Sequence, residues 1–333
     1  MGQVRLTMQP PLRLLFIMDP YETLNLDTET SLLLMQELLG RGLAVDWLDV
    51  DGLVLRDGEL LGQIRQVSSI RPLVRSQPVF KRLDEYDVVL PRMDPPVDSR
   101  YLQLTQLLDF LPPRIVQINP AYALRNFNEK LLPLQWPEYC PPTLVSNDVS
   151  ELTGFLENHA DIVLKPLNEC SGRGIVRVTA NAAGSHRQNL ESALARHEGR
   201  IPLLLAQKFL SGVSDGDKRV FLLEGEALAA VNRRPQHGSW LANIHQGAHC
   251  EATRLSERER DIITRIGPFL REHNILLAGA DFIDGYLTEL NITSPSALRQ
   301  INAIDEQHYE RAIVDRMIQK VHAARAAEHA LAS

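Results

Sequence analysis

The stretch FIDGYLTELNITSP, Phe282 to Pro295, combines a turn signal with two oxygen-bearing side chains inside an apolar, β-rich run. Its Asp284-Gly285 pair, flanked by hydrophobic residues, predicts a β-hairpin. Glu289 and Asn291 stand two residues apart on the second strand, so their side chains point to the same face of the sheet. Because carboxylate and amide oxygens suit a hard cation such as Mg2+, the hairpin is a candidate metal site.

Asp281, on the preceding strand, joins this face in only one form of the turn. A two-residue turn pairs Asp281 with Thr288 and aims it away from Glu289. A three-residue loop with Gly285 in the left-handed region instead turns Asp281 toward Glu289 and Asn291. We predict the three-residue loop. The alternative, solvated polar side chains on an edge hairpin, stays open from the spacing alone.

Composition limits the classes of partner. The chain has 333 residues, of which 44% are hydrophobic, and a formal net charge of -7. Its length indicates two or three domains, and its charge gives no electrostatic attraction to nucleic acid or an anionic membrane. The three cysteines, Cys140, Cys170 and Cys250, are too scattered to predict a disulfide framework or a zinc site. These features fit a cytoplasmic protein that acts on small molecules.

The first third of the chain alternates apolar strands with a helical repeat. LRLLFIM, residues 12–18, is too short to span a bilayer and predicts a buried strand. Helical spacing in SLLLMQELL, residues 31–39, predicts the next helix, and further strands are predicted from Tyr86 and Arg114. The alternation predicts a parallel α/β domain over roughly the first 120 residues, without the GxGxxG of a dinucleotide-binding fold.

The second half predicts an α+β unit built mainly of antiparallel hairpins, with helices over 149–159 and 256–273. The strand DIVLKPL leads into NECSGRGIVRV, residues 168–178, whose backbone N–H groups can approach an anion closely. Lys165, at the end of that strand, can meet phosphate oxygens as a point charge. Glycine-rich hairpin loops are common, so an ordinary turn stays open as the alternative.

Other polar residues carry weaker signals. Lys130 lies near a predicted helix start, and Arg219 enters a strand after the charged turn SDGDK, but both positions also fit surface groups. Cys170 lies within the glycine-containing loop, with no histidine nearby in sequence to support catalysis. Three histidines share one polar segment but lack the spacing of a metal site: His237, His245 and His249.

In their order along the chain, these motifs resemble the bacterial glutathione synthetases of the ATP-grasp superfamily. The motifs are IMDP, RMDPP, NEKL, VLKP, DGDKRV, IGPFL and LTELNITSP, at residues 17–20, 92–96, 128–131, 163–166, 215–220, 266–270 and 287–295. The resemblance covers about residues 12–321 and implies an ATP-grasp fold of mixed α/β and α+β class. It also implies an N-terminal Rossmann-like domain over 1–125, a central lid subdomain over 126–206 and a C-terminal catalytic subdomain over 207–333.

The resemblance further implies roles for individual residues. The implied ATP contacts are Lys130, Lys165, Ser171, Gly172, Arg173, Gly174, Gln207, Lys208, Phe209, Leu210 and Lys218. The implied ligands of Mg2+, or of Mn2+ in its place, are Asp281, Glu289 and Asn291. Arg219 would face an acyl phosphate and the tetrahedral intermediate that follows it. The implied substrate contacts are Arg92, Asp94, Asn291, Thr293 and Ser294.

The activity implied by the resemblance is ligation of a carboxylate to an amine through an acyl phosphate formed from ATP. The leading assignment is the joining of γ-glutamylcysteine to glycine, by a homo-oligomer, a dimer or tetramer, in the cytoplasm.

Two segments depart from the family pattern. The phosphate loop reads NECSGRG at 168–174, where the family is richer in glycine. In the lid, residues 233–255, Leu241 and His249 stand where the family has arginines, and Trp240 stands where it has a small residue. Two alternatives therefore stay open. One is a ligase for a different amino acid or small peptide, and the other is a catalytically silent nucleotide-binding regulatory protein.

Overall fold

Three β-sheets follow one another along the chain in the computed structural model, which describes residues 11–169, 172–180, 190–191, 194 and 201–332. The strands are β1 (Arg13–Met18), β2 (Ala44–Arg56), β3 (Glu59–Ile70), β4 (Leu73–Arg75), β5 (Val79–Arg82), β6 (Val88–Pro91), β7 (Val116–Gln117), β8 (Thr143–Ser146), β9 (Asp161–Pro166), β10 (Val176–Thr179), β11 (Leu204–Lys208), β12 (Asp217–Leu223), β13 (Glu226–Arg234), β14 (His249–Ala252), β15 (Leu277–Ile283) and β16 (Tyr286–Asn291). The helices are α1 (Thr30–Gly40), α2 (Ser99–Leu107), α3 (Ala121–Asn126), α4 (Val149–His159), α5 (Glu257–Glu272), α6 (Leu298–Asp305) and α7 (Tyr309–Ala332).

The N-terminal sheet has the order β4-β3-β2-β1-β6-β7, with β5 paired to β3. Strands β2, β1, β6 and β7 are parallel, as the apolar alternation predicts, but β3, β4 and β5 are antiparallel additions. The cause is a two-residue turn in which Asp57 and Gly58 have φ of 51° and 83°. This conformation favours a tight hairpin between β2 and β3. The sheet is therefore mixed, whereas the sequence predicts a parallel one.

The central sheet is antiparallel in the order β10-β9-β11-β8 and packs against α4. Helix α4 covers the predicted residues 149–159 and begins after Asp148, whose side chain accepts hydrogen bonds from the N–H groups of Ser150 and Glu151. These bonds satisfy donors that would have no partner in the first turn of the helix. Leu152 and Leu156 of α4 pack on the sheet, so the unit has its own apolar core.

The third sheet is antiparallel in the order β14-β13-β12-β15-β16. Helix α5 packs against it and fulfils the prediction of a helix over 256–273. Ser256 and Glu259 form a reciprocal capping box at its start, and His273 is the C-cap residue. Its apolar face, including Ile262 and Ile266, is fully buried against the sheet.

The hairpin of β15 and β16 differs from the predicted turn. Ile283 pairs directly with Tyr286, so the loop is the two-residue Asp284-Gly285 turn and the prediction of a three-residue loop is wrong. Both loop residues have positive φ, 52° and 72°, which suits a tight hairpin turn. A bulge in β16 then absorbs one extra residue, because Phe282 pairs with Leu287 and Asp281 pairs with Glu289. Asp281 thus reaches the predicted face by a different route.

Asn119 ties the N-terminal sheet to the third sheet. Its Nδ2 donates to the carbonyls of Leu277 and Ile292, at 2.6 and 2.7 Å. Its Oδ1 accepts from the N–H groups of Leu276 and Leu277, at 2.9 and 3.1 Å. All four bonds are buried, so this side chain fixes where β15 and the segment after β16 lie relative to the N-terminal domain.

The C-terminal helix returns to the N-terminal domain. Residues of α1, α7 and the first and third sheets share one apolar cluster. Outside this cluster, Nη2 of Arg325 on α7 donates to Oδ1 of Asp87 at 2.6 Å. The boundaries predicted at 125 and 206 stay predictions, and β11 runs across the second of them. No helix in the described ranges is long and apolar enough to cross a membrane.

Candidate active site

Two cavities meet where the three sheets come together. The first lies between the central and third sheets and contains about 770 Å³ of empty space. The second lies between the third sheet and the N-terminal domain and contains about 780 Å³. Glu289 and Asn243 line both cavities, so the two spaces adjoin at these residues.

Lys130 and Lys165 bring positive charge to the first cavity from separate parts of the chain. The buried Lys130 ammonium donates to Glu129 Oε1 at 2.7 Å and to the carbonyl of Glu169. Lys165, on β9, holds its Nζ 3.7 Å from Glu289 Oε1. Two ammonium groups that converge on one cavity suit an anionic ligand such as a phosphate chain.

The end of β11 and the residues after it line the other end of the first cavity, as the resemblance implies for Gln207, Lys208, Phe209 and Leu210. The Gln207 side chain is buried and donates to Thr143 Oγ1 at 3.0 Å, which fixes its orientation. Phe209 and Leu210 make this end apolar. The cavity is thus polarised between a cationic end and an apolar end.

Within the predicted phosphate loop, Cys170 and Ser171 lie outside the described residues. Gly172 and Arg173 line the first cavity. Gly172 and Gly174 have φ of 78° and 69°, in the region that favours glycine. The Arg173 guanidinium donates to the Pro95 carbonyl at 2.9 Å. The loop therefore contacts the N-terminal domain as well as the cavity.

A buried charge network lies at the junction of the two cavities. Arg219 binds Asp281 with two parallel hydrogen bonds, one of them from Nη2 to Oδ2 at 2.8 Å. Arg233 lies 2.8 Å from Asp217 Oδ2 and 3.2 Å from Asp281 Oδ1. Burial favours a raised pKa for Asp281, but the guanidinium groups of Arg219 and Arg233 outweigh it and lower that pKa. The carboxylate of Asp281 is therefore ionised at neutral pH.

Asp217 differs from Asp281, although the two share Arg233. Burial raises the pKa of Asp217 to about 6, against the pull of Arg233 and with the repulsion of Asp281. Arg233 is a residue that sequence reasoning missed. Arg233 pairs with Asp217 across the β12–β13 hairpin, and that pairing could have indicated an ion pair. A bulge between Phe221 and Leu222 shifts the register, so the pairing cannot be read from the spacing in the sequence.

The three predicted metal ligands lie together. Asp281 and Glu289 are cross-strand partners, and Asn291 Nδ2 donates to Asp281 Oδ2 at 3.2 Å. Within the described residues, no group of three or more His, Cys, Asp or Glu side chains is arranged to hold a metal ion. The predicted trio is not a group of this kind, because its third member is the amide of Asn291.

The second cavity has walls of opposite charge. Arg219 and Arg233 lie on one side, and Glu29 and Asp94 of the N-terminal domain lie on the other. Burial raises the pKa of Asp94 to about 7, so this carboxyl is only partly ionised at neutral pH. Glu29 also caps α1, since its Oε1 accepts from the N–H of Ser31 at 2.7 Å. The predicted substrate contacts Asp94, Asn291, Thr293 and Ser294 all line this cavity. A ligand that carries both an ammonium and a carboxylate group matches these walls.

Two predicted site residues have contacts elsewhere. Arg92 is fully buried behind the Thr293–Pro295 segment and donates to the carbonyls of Thr293 and Pro295 and to Ser31 Oγ. Lys218 Nζ binds both carboxylate oxygens of Glu259 on α5, at 2.6 and 2.9 Å. Side chains alternate along β12, so Lys218 points away from the face that carries Arg219. Arg92 thus supports the Thr293–Pro295 segment from behind, and Lys218 holds α5.

Glu129 is a second residue that sequence reasoning missed. It is buried, lines the second cavity and forms an ion pair with Lys130. Burial raises the pKa of Glu129 despite the adjacent Lys130 ammonium, and the charge of Glu289 acts in the same direction. The motif NEKL contains this residue, but the resemblance implies a role only for its lysine.

Comparisons with known proteins match this arrangement. The model of the prokaryotic glutathione synthetase ATP-grasp domain matches residues 129–306, and the model of the N-terminal domain of the same family matches residues 12–125. The glutathione synthetase of Parasynechococcus marenigrum (strain WH8102) is 36% identical over 307 residues, which are 92% of this chain and 99% of that protein. The glutathione synthetase of Rhodopseudomonas palustris (strain ATCC BAA-98 / CGA009) is 35% identical over 289 residues, covering 85% and 91% of the two chains.

Solved structures share the fold at low sequence identity. D-cycloserine synthetase DcsG superposes with a TM-score of 0.62 at 14% identity, covering 91% of this chain and 99% of that one. D-alanyl-alanine synthetase A from Vibrio cholerae gives a TM-score of 0.61 at 13% identity, covering 95% and 99%. The predicted ATP-grasp fold with an N-terminal α/β domain is confirmed.

Proposed function

The chain belongs to the prokaryotic glutathione synthetase family, and we propose that it joins γ-glutamylcysteine to glycine while ATP is cleaved to ADP and phosphate. It is an ATP-dependent C–N ligase. One observation carries the substrate proposal: Glu289 lines both cavities, so a phosphate chain in the first can meet a carboxylate in the second.

The charges of the second cavity favour a zwitterionic peptide as the acyl donor. Arg219 and Arg233 attract carboxylates, whereas Glu29 and the ionised form of Asp94 attract an α-ammonium group. γ-Glutamylcysteine carries both kinds of group. Held between these walls, its reacting carboxylate lies beside the cavity junction, and such positioning is a large part of the catalysis of a two-substrate reaction.

The chemistry has two steps. A carboxylate oxygen of the peptide attacks the γ-phosphorus of ATP, which gives an acyl phosphate and ADP. The amine of glycine then attacks the acyl carbon, phosphate leaves, and the nitrogen loses a proton. Lys130 and Lys165 neutralise the phosphate chain, and Arg219 stabilises the oxygens of the acyl phosphate. The segment containing Asn243 covers the junction and keeps water from the acyl phosphate.

The residues present fit a magnesium ion as part of the proposal. Glu289 and Asp281 offer carboxylate oxygens on one face of the hairpin, with the amide of Asn291 beside them. Mg2+ is commonly held by one or two carboxylates together with substrate phosphates, so a larger protein cage is not required. When bound, the ion would supply neutralisation of charge on the transferring phosphoryl group. The guanidinium of Arg219 would then share Asp281 with it.

A second candidate function is favoured by the lid. Leu241 and His249 of this segment stand where the resemblance implies arginines, and Asn243 and Ile244 of the same segment line the second cavity. A changed lid supports a ligase that joins a different amine or acid through the same two steps.

The proposal also includes a cytoplasmic location and a homo-oligomer. Cys140 and Cys250 are free thiols, which is compatible with a reducing compartment.

Phosphate release from MgATP tests the proposal directly. The purified protein is given γ-glutamylcysteine and glycine together, then each alone, and the product mass is measured. We expect phosphate release that needs both substrates, with one glutathione formed for each phosphate. Replacing glycine by each other amino acid separates the two candidates. Turnover with another amine and none with glycine would overturn the glutathione assignment and support the second function.

A further inference from the structure

Trp240 lies at the apolar end of the first cavity, on the segment that covers it. The rings of Trp240 and Phe209 pack in a T-shaped arrangement, with the centroids 6.1 Å apart and the planes at 80°. Phe209 follows β11, in the stretch to which adenine contacts are assigned by resemblance. The two aromatic side chains therefore form one corner of the cavity, opposite the end that holds Lys130 and Lys165.

Phe209 is already held on one face. The guanidinium carbon of Arg177 lies 3.6 Å from the centre of its ring, and Arg177 is itself held by hydrogen bonds to both carboxylate oxygens of Asp161. Because Arg177 covers that face of Phe209, a planar ligand needs a second aromatic side chain for a more extensive stacking contact. Trp240 is the side chain that the cavity offers at that position.

The segment that carries Trp240 is packed in place. Asn243, three residues on, lies so close to Gly172 that a Cβ added at Gly172 would be 2.7 Å from Asn243 Oδ1. The lid segment that carries Trp240 and Asn243 is thus closely packed against the phosphate loop. A nucleotide whose phosphates lie along that loop has its base under the same segment, beside Trp240.

We propose that Trp240 is a positioning residue that packs against the purine base of ATP and completes the apolar end of the cavity from the lid side. Aromatic rings stack on bases through their π faces and need no specific hydrogen bonds. The inference rests on the proposed use of ATP by this cavity, but not on which acid and amine are joined.

Tryptophan fluorescence gives a test that does not depend on turnover. The chain has three tryptophans. Trp47 is fully buried in the N-terminal domain, and Trp136 packs on Phe269 of α5 with ring centroids 5.4 Å apart. We expect MgADP to change the emission of the wild-type protein and of the matched control Trp136→Phe. Trp240→Phe should lose that change while calorimetry shows that it still binds MgADP.

A ligand without a base separates stacking from support of the loop. Trp240→Ala should raise the Kd of MgADP about tenfold, a loss within the range measured for base–aromatic stacking. The Kd of magnesium tripolyphosphate should change by less than about twofold, because that ligand reaches only the phosphate part of the cavity. A parallel loss for both ligands would make Trp240 a support of the loop and overturn the inference. So would an unchanged Kd for MgADP. A wild-type protein that binds neither ligand would overturn the proposed use of ATP as well.

Discussion

At the scale of single residues, Glu289 stands where the first and second cavities adjoin. Glu289→Gln keeps the size of the side chain and removes its negative charge near Lys165. We expect turnover to fall by about 100-fold or more, as when a group that organises transition-state charge is lost. The melting temperature should move by no more than about 2 °C, because the change keeps the packing of the side chain and removes only a long, partly exposed ion pair with Lys165.

Phosphate release and thermal melting measured on the same preparation check this prediction. Glu226→Gln, an exposed position at the start of β13, is the matched control and should retain full activity. A fall in melting temperature that tracks the loss of activity would show that Glu289 serves the fold.

Asp217 gives the site a pH-dependent stability. Its folded pKa, raised to about 6 by burial, exceeds the usual value of 3.8, so the folded state holds the proton more tightly than the unfolded state. The resulting stabilisation is complete below pH 3.8 and is lost as the pH rises through about 6. From pH 5 to pH 8 the wild type should lose about 1 kcal/mol of unfolding free energy relative to Asp217→Asn.

Urea unfolding at the two pH values measures this difference. The exposed Asp215→Asn, two residues away, controls for the removal of a charge in the same turn. A gap between wild type and Asp217→Asn that is the same at pH 5 and pH 8 would contradict the assigned titration.

At the scale of elements, the β12–β13 hairpin is fitted closely to α5. Gly225, with φ of 77°, lies so near α5 that a Cβ would be 2.5 Å from the carbonyl oxygen of Gly267. Gly225→Ala should therefore cost about 2 kcal/mol or more, through backbone strain and overlap together. Gly154→Ala is the matched control, since Gly154 is inside α4 with no atom within 4 Å of the added Cβ. It should instead add about 0.5–1 kcal/mol. Urea unfolding of the two variants gives the comparison, and a similar effect of both would contradict the close fit.

The hairpin of β15 and β16 shows how far sequence reasoning reaches at this scale. The spacing of Glu289 and Asn291 predicted their shared face, because strand periodicity depends only on sequence distance. The turn was predicted wrongly, because turn length and bulge position compensate: a two-residue loop with a bulge aims Asp281 as a longer loop would. The local sequence therefore constrains the combined effect of turn length and bulge position on the direction of Asp281, but it does not determine either feature alone.

Other parts of the site required the tertiary structure. Helices α4 and α5 were predictable because their caps and apolar repeats are local. The alternation of Lys218 and Arg219 along β12 was also visible, but which of the two faces the cavity depends on where α5 packs. The pairing of Arg233 with Asp217 crosses a bulged hairpin, so no fixed spacing in the sequence reveals it.

At the scale of the whole molecule, the second cavity depends on how the N-terminal domain sits against the third sheet, and Asn119 fixes that placement. Asn119→Ala would leave two carbonyls and two N–H groups without their buried partner. We expect a loss of about 3 kcal/mol in unfolding free energy, on the scale measured for unsatisfied buried polar groups. Asn147→Ala, at an exposed position, is the control and should change stability by less than about 0.5 kcal/mol.

The kinetic consequence of Asn119→Ala should be specific to one substrate. Asn119 holds the carbonyl of Ile292, next to Thr293 of the second cavity, while the first cavity lies between the central and third sheets. We therefore expect the KM for the acyl donor to rise about tenfold or more, since small displacements of positioning groups carry large kinetic costs. The KM for ATP should change by less than about threefold, because no contact of Lys130 or Lys165 is altered. Initial rates with each substrate varied in turn give both constants, and an equal rise in the two would mean that Asn119 maintains the whole fold and not the seating of the N-terminal domain.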